Sequence, residues 1–408
     1  MQVVSAREAI RRIPDGARVI LPHGCVEPTA FYDALQAECS RFRQLRLYSG
    51  LQFGDYPYLR TGLGVHFSYT TWQASPKLRQ RFADGTIDLL PIRFRDVTRV
   101  VARDGPVVPD VVVIQVSKPD NGAVSLGISV SLYRDLIAHS ALVIAEVNEH
   151  MPVTHGNSTV ATSDIHLAIE SGAPLGEYRS PRRSARDERI VERVLGLIPR
   201  GAWVQFGVGV IPDAVLCRLH EVPEANIHSG MLTDGVMEFV QKSRHRTRVI
   251  TGEVAGTRAL YEFTGKTPCI EFHPSSMTHD FLPIARLPNF ISINSAVEVD
   301  LHGQVNGETI DGVQISGVGG SLDFVDGAAA SPGGAAIIAL PSTTEDGKRS
   351  KIVARLSATT SVTVPRFCTD YVVTEFGVAR LRGKTLRERA AALRAIAHPD
   401  FRESGLGA

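Results

Sequence analysis

Residues 13–30 read IPDGARVILPHGCVEPTA, and residues 198–214 read IPRGAWVQFGVGVIPDA. Each copy carries Ile-Pro-x-Gly-Ala-x-Val, then a glycine eight positions after the first glycine, then Pro and Ala with a one-residue slip. In both, a short apolar strand (18–21; 203–206) runs into a glycine-containing turn. A helix follows whose first turn holds a proline, where the missing N–H costs little. Two such copies, 185 residues apart, predict two related α/β domains in tandem.

Between the copies lies GEYRSPRRSARDER, residues 176–189, where apolar residues vanish and charge crowds. This is the composition of a linker, and it divides the chain into residues 1–180 and 181–408. A length of 408 residues suits two cores better than one. On either side, apolar runs at 111–116, 141–147, 249–251, 290–293, 335–340 and 371–373 alternate with helical patterns such as 386–396. Because the runs are continuous and do not alternate with polar residues, they predict mostly parallel sheets covered by helices.

Lys plus Arg number 44 against 43 Asp plus Glu, a formal net charge of +1, so no global field draws nucleic acid or an anionic membrane. The opening MQVVSAREAIRRIPDG has charges where a signal peptide needs an apolar core, and no apolar run approaches the roughly 20 residues that span a bilayer. A cytoplasmic protein is expected. Five cysteines, Cys25, Cys39, Cys217, Cys269 and Cys368, are scattered without CxxC spacing, which argues against a disulfide framework and against a zinc site. No metal is expected.

Three segments carry candidate chemistry. In Gln205-Phe206-Gly207-Val208-Gly209-Val210-Ile211-Pro212, a strand ending in Gly-x-Gly before a helix lets backbone N–H groups approach an anion. Pro212 excludes the dinucleotide fingerprint, and no Gly-Lys-Ser/Thr follows to make a P-loop. In Ser316-Gly317-Val318-Gly319-Gly320-Ser321, three glycines in four residues bare the N–H donors of a loop, as an oxyanion hole requires; a plain turn is the structural alternative. The third, residues 292–301 (SINSAVEVDL), reads as one strand with Asn294, Glu298 and Asp300 on one face, either a solvated edge or a pocket wall.

In order, INSAVEVDLHGQVNGE, SGVGGSLDFVDGA, SPGGAAIIALPST and IAHPDFRE, with VVIQVSKPDNGAVSLGIS and VIAEVNEHMPVTHG in the first half, resemble the acetyl-CoA hydrolase/transferase family of class I CoA-transferases. The resemblance implies two CoA-transferase domains with the active site between them, in a homodimer. It gives the loop Gly207, Val208, Gly209, Val210 and Ile211 to CoA binding and the turn Gly317, Gly319 and Gly320 to the thioester carbonyl. It implies no cofactor beyond coenzyme A as substrate. The partners it implies are CoA or acyl-CoA and a small acceptor or water.

In that family a glutamate attacks the acyl-CoA and passes through an anhydride and a glutamyl-CoA thioester, which only a carboxylate can do reversibly. The family writes the segment as H-(S/T)-E-M-x-(S/T)-D-G. This chain reads His228-Ser229-Gly230-Met231-Leu232-Thr233-Asp234-Gly235, with glycine in the glutamate's place, read as the mouth of a helix. Downstream, His279 aligns with a family asparagine. Glu238, eight residues on, is about 12 Å away by helix rise and cannot take the glutamate's place. Glu298 is a weaker substitute, and the loop Pro22-His23-Gly24-Cys25-Val26-Glu27 offers a thiol as acyl acceptor and a carboxylate. The glycine leaves a carboxylate-sized space, so water or another acceptor could attack the thioester with His228, His279 or Glu27 as base. The other readings are a CoA-binding homologue without turnover, a trapped Glu-to-Gly variant, and ordinary CoA transfer through another residue.

Overall fold

The computed structural model describes residues 1–55 and 57–403. They form two compact units: Met1–Arg179 with Ile250–Thr278, and Ser180–Val249 with His279–Ala408. A single division of the chain at residue 180 lacks the return of Ile250–Thr278 to the first unit. Its cause is backbone pairing: Val130 and Ser131 both donate to the Gly252 carbonyl at 3.0 and 3.1 Å, and the strand Ile270–Phe272 pairs in parallel with His155–Gly156.

The first unit holds an eight-stranded sheet in the order Gln2–Val3, Leu167–Ser171, Leu142–Asn148, Val111–Val116, Arg18–Ile20, Leu45–Ser49, Phe67–Thr71, Asp88–Leu89. Every neighbouring pair in it is parallel. Val111–Val116 is buried at all its positions, as a strand covered on both faces must be. The helix Thr29–Ala37 packs Phe31, Tyr32 and Leu35 into a core that includes Val19, Leu47 and Val113.

In the second unit the order is Gly377–Arg380, Tyr371–Thr374, Ala335–Ala339, Phe290–Asn294, Trp203–Phe206, Asn226–Leu232. Only the first pair is antiparallel. The repeated segments occupy equivalent places. Arg18–Ile20 lies between the next strand in sequence, Leu45–Ser49, and the later Val111–Val116. Trp203–Phe206 lies between Asn226–Leu232 and the later Phe290–Asn294 in the same way. This is a mostly parallel α/β architecture, present twice.

Local chemistry sets the helix boundaries. The charged segment 176–189 is not all linker, because Ser184 and Asp187 form a reciprocal capping box that starts the helix Ala185–Leu195 inside it. A second box, Thr385 with Glu388, starts Leu386–Ile396, the span its periodicity predicts. Residues 292–301 are two strands and not one: Phe290–Asn294 ends, and Glu298–Asp300 belongs to a small separate sheet. Among the described residues, no helix is long and apolar enough to cross a membrane.

Candidate functional site

The Gly-x-Gly loop is fixed by its neighbours. Trp203 and Val204 pair with Asn226 and Ile227, and where that ladder stops the Ser229 hydroxyl takes over. It accepts from the Phe206 N–H at 3.2 Å and donates to the Phe206 carbonyl at 3.1 Å. The Gly207 N–H donates to the Ile293 carbonyl at 2.8 Å, so close to the next strand that a Cβ would lie 2.8 Å from Asn294 Oδ1. Gly209, at φ +143°, has a backbone that L side chains rarely adopt, and the helix Val210–Arg218 begins directly after it. The first-turn N–H groups have no intrahelical acceptor and sit at the positive end of the helix dipole. Val208 is exposed and Ile211 is buried, so in this loop Val208 faces outward while Ile211 anchors it.

Asp213, in the same first turn, is buried. It accepts from Thr233 Oγ1 at 2.9 Å and from Ser180. Burial nevertheless pushes its carboxyl up to about 6.

Gly230 is not at a helix mouth. It lies inside the buried strand Asn226–Leu232, and the helix Gly235–Lys242 begins five residues later, so Glu238 is not related to it by helix rise. A Cβ at residue 230 would stand 2.5 Å from both Cε1 and Nε2 of His279. From the other side, a Cβ at Gly320 would lie 2.6 Å from His279 Cδ2 and 2.7 Å from Nε2. The imidazole is therefore clasped between two glycines, 5% exposed, against the Phe324 ring at 4.7 Å. The carboxylate-sized space expected beside Gly230 is filled by His279.

His279 reaches this place from the link between the short helices Ser275–Thr278 and Phe281–Ala285. Asp280 caps the second of these by accepting from the Leu282 N–H at 2.8 Å. Because side chains alternate along a strand, His228 points to the same face as Gly230. His228 meets Phe290 edge-on at 6.1 Å, and Phe290 stacks on Phe324 at 6.4 Å. The two histidines thus end one aromatic layer, with two phenylalanines between them. Gly317, Gly319 and Gly320 lead into the helix Ser321–Ala330, Gly320 being its N-cap. The structure brings Gly230, His279 and Gly320 together, with the open N–H groups of that helix beside them.

The first unit's candidates have different surroundings. Cys25 is 1% exposed; burial pushes its thiol up to about 12, against the opposing hydrogen bond of Tyr261. It is a protonated thiol at neutral pH, the reverse of an activated nucleophile. The Glu27 carboxyl is also raised by burial, partly offset by the Gly54 N–H.

Sequence reasoning missed the pair His23 and Glu253. His23 Nε2 lies 3.0 Å from Glu253 Oε2, and its Nδ1 lies 2.9 Å from the hydroxyl of Tyr133, which also donates to the Leu21 carbonyl. Ser129 Oγ donates to the same Glu253 oxygen at 3.3 Å. The readable signal was Glu253 itself, a lone acid inside the otherwise neutral run Val249–Val254.

Asn294, Glu298 and Asp300 do not share a wall. Asn294 exchanges amide hydrogen bonds with Gln205, Glu298 accepts from Asn306, and Asp300 closes a turn by accepting from the N–H groups of His302 and Gln304. Among the described residues, no group of three or more His, Cys, Asp or Glu side chains could hold a metal ion.

Residues 1–174 match the acetyl-CoA hydrolase/transferase N-terminal domain and residues 256–406 its C-terminal domain. The chain is 39% identical to the 4-hydroxybutyrate coenzyme A transferase of Clostridium kluyveri over 412 residues, covering 99% of this chain and 96% of that one. The crystal structure of RipA from Yersinia pestis superposes with a TM-score of 0.92 at 29% identity, covering 98% of this chain and 95% of that one. A 4-hydroxybutyrate CoA-transferase from Porphyromonas gingivalis gives a TM-score of 0.83 at 34% identity, with the same coverage. With both family domains matched and such identity along its whole length, the chain belongs to the acetyl-CoA hydrolase/transferase family.

Proposed function

We propose that this protein cleaves or transfers the acyl group of an acyl-CoA without a glutamyl-CoA intermediate, His279 serving as general base. The observation that carries the reading is the imidazole itself, which fills the space that a side chain at residue 230 would take. In the reaction, His279 removes a proton from water or another acceptor as its oxygen attacks the thioester carbon. The carbonyl becomes an oxyanion, held by N–H groups of the turn at Gly317, Gly319 and Gly320. Collapse of the tetrahedral species breaks the C–S bond, and the imidazolium returns its proton to the departing CoA thiolate. The loop from Gly207 to Ile211 binds CoA in this reading, and a cytoplasmic homodimer belongs to it.

Ordinary CoA transfer fits poorly, because no carboxylate stands at residue 230 to form the anhydride. A CoA-binding chain without turnover is the second reading, supported by the tight enclosure of the His279 ring.

The test is release of free thiol from acetyl-, butyryl- and succinyl-CoA, with and without added carboxylic acids, alcohols and amines, followed by intact-mass analysis. Thiol release with no CoA adduct on the protein is expected. His279→Gln should slow it by about 10²- to 10⁴-fold, the usual contribution of a general base. A CoA thioester on any glutamate sinks the proposal, and CoA binding without thiol release selects the second reading.

A further inference from the structure

The second unit contains a cavity of about 490 Å³ that none of the thioester chemistry uses, a volume in the range of small-molecule sites. It lies at the opposite end of the strands from the Gly207 loop. Its lining comes from Pro199, ahead of the strand Trp203–Phe206, and from Ile291, Ala335 and Tyr371, at or near the starts of their strands. Gly207 and Asn294 stand at the other ends of the same strands.

Its polar groups are unequally satisfied. The Asp370 side chain is 4% exposed, and its Oδ2 faces Arg382 Nη2 at 3.2 Å. Its Oδ1 is buried and has no hydrogen-bond partner among the described residues. A buried acceptor left in this state has lost its water without compensation, and a donor brought by a ligand would recover that loss. Arg380, opposite Tyr371 in the antiparallel pair, lies over that ring at 5.9 Å. Two arginines therefore line the cavity with one aspartate, an excess of one positive charge. Leu197, Ile198, Ile291 and Ile337 supply an apolar wall.

We infer that this cavity binds a small amino acid as its zwitterion. The carboxylate pairs with Arg380 and Arg382, the ammonium donates to Asp370 Oδ1, and a short apolar side chain lies against the isoleucines. Neither a simple carboxylic acid nor a simple amine satisfies both ends. The proposal is independent of the thioester reading, since no residue is shared.

Isothermal titration with L-alanine, L-valine and L-leucine tests it, with isobutyrate and isobutylamine as probes that each lack one charge. At least one amino acid should bind, and both single-charge probes should bind about tenfold more weakly or worse. Asp370→Asn keeps an acceptor for Arg382 but presents an amide to the ammonium, and should weaken amino-acid binding about tenfold while CoA binding is unchanged. If that variant fails to fold, Arg380→Gln, at an exposed position, should produce a similar loss. Equal binding of isobutyrate and L-valine overturns the proposal. So does the absence of binding by any amino acid, or protection of the cavity by a second copy of the chain in solution.

Discussion

The imidazole of His279 and the backbone of Gly230 share one space: a Cβ at residue 230 would lie 2.5 Å from two ring atoms. A ring displaced by that atom would be pressed toward Gly320, where a Cβ would in turn lie 2.6 Å from Cδ2. Changes at residues 230 and 279 are therefore coupled.

The first prediction follows from that coupling. Gly230→Glu alone should destabilise the protein by about 1–3 kcal/mol through overpacking and form no CoA adduct. Gly230→Glu combined with His279→Asn, the residue the family resemblance suggests, should recover most of the loss and place a carboxylate beside the glycine turn. Urea denaturation of the four proteins of the cycle gives the coupling, and intact mass after acyl-CoA treatment shows whether an adduct forms. A single Gly230→Glu variant as stable as the parent would mean that the ring moves aside freely.

A second prediction concerns Cys25. With its thiol pushed up to about 12 and 1% exposed, it should resist iodoacetamide at pH 8 in the native protein and react readily in urea. Cys25→Ala should leave thioester cleavage within about twofold of the parent, since no thiolate is lost. Rapid native labelling mapped to Cys25 by peptide mass spectrometry would contradict this.

The third concerns the buried pair His23 and Glu253. Removing the imidazole by His23→Ala leaves a carboxylate enclosed without its partner and should cost about 3–5 kcal/mol. The double variant His23→Phe with Glu253→Leu, which replaces both buried polar groups by apolar ones, should be markedly more stable than His23→Ala. Denaturation midpoints decide it, and a double variant no more stable than His23→Ala would contradict the pairing.

Much of this architecture is legible in the sequence because it is local. The repeated Ile-Pro-x-Gly-Ala-x-Val marks two strands that occupy equivalent sheet positions, and apolar runs such as 111–116 mark strands buried on both faces. Strand starts and the capping box at Thr385 are likewise decided by neighbours in sequence. What was not legible depends on contacts across long separations. His279 meets Gly230 across 49 positions and Gly320 across 41, so two separate departures from the family pattern could not be seen as one packing arrangement. Glu253 finds His23 only because Ile250–Thr278 returns to the first unit. Gly230 is hard to read locally as well, since the polar HSG triplet hides a strand whose Ser229 hydroxyl is bonded to Phe206 and whose His228 ring packs in the aromatic layer.

Asp213 makes stability depend on pH with an unusual sign. Its carboxyl titrates near 6 in the folded protein against 3.8 for an ordinary aspartate. Between about pH 4 and pH 6 the folded state therefore holds more protons than the unfolded one, and the unfolding free energy falls as pH rises. The loss reaches at most about 3 kcal/mol once both states are ionised, because each tenfold change in proton affinity is worth about 1.4 kcal/mol. Asp213→Asn removes the titrating group while an amide oxygen can still accept from Thr233, so the variant should show a flatter stability profile across that window. The gain relative to the parent should be larger at pH 7 than at pH 4. Urea titrations at closely spaced pH values measure both slopes, and parallel profiles for parent and variant would mean that Asp213 ionises in the folded protein as it does in the unfolded chain.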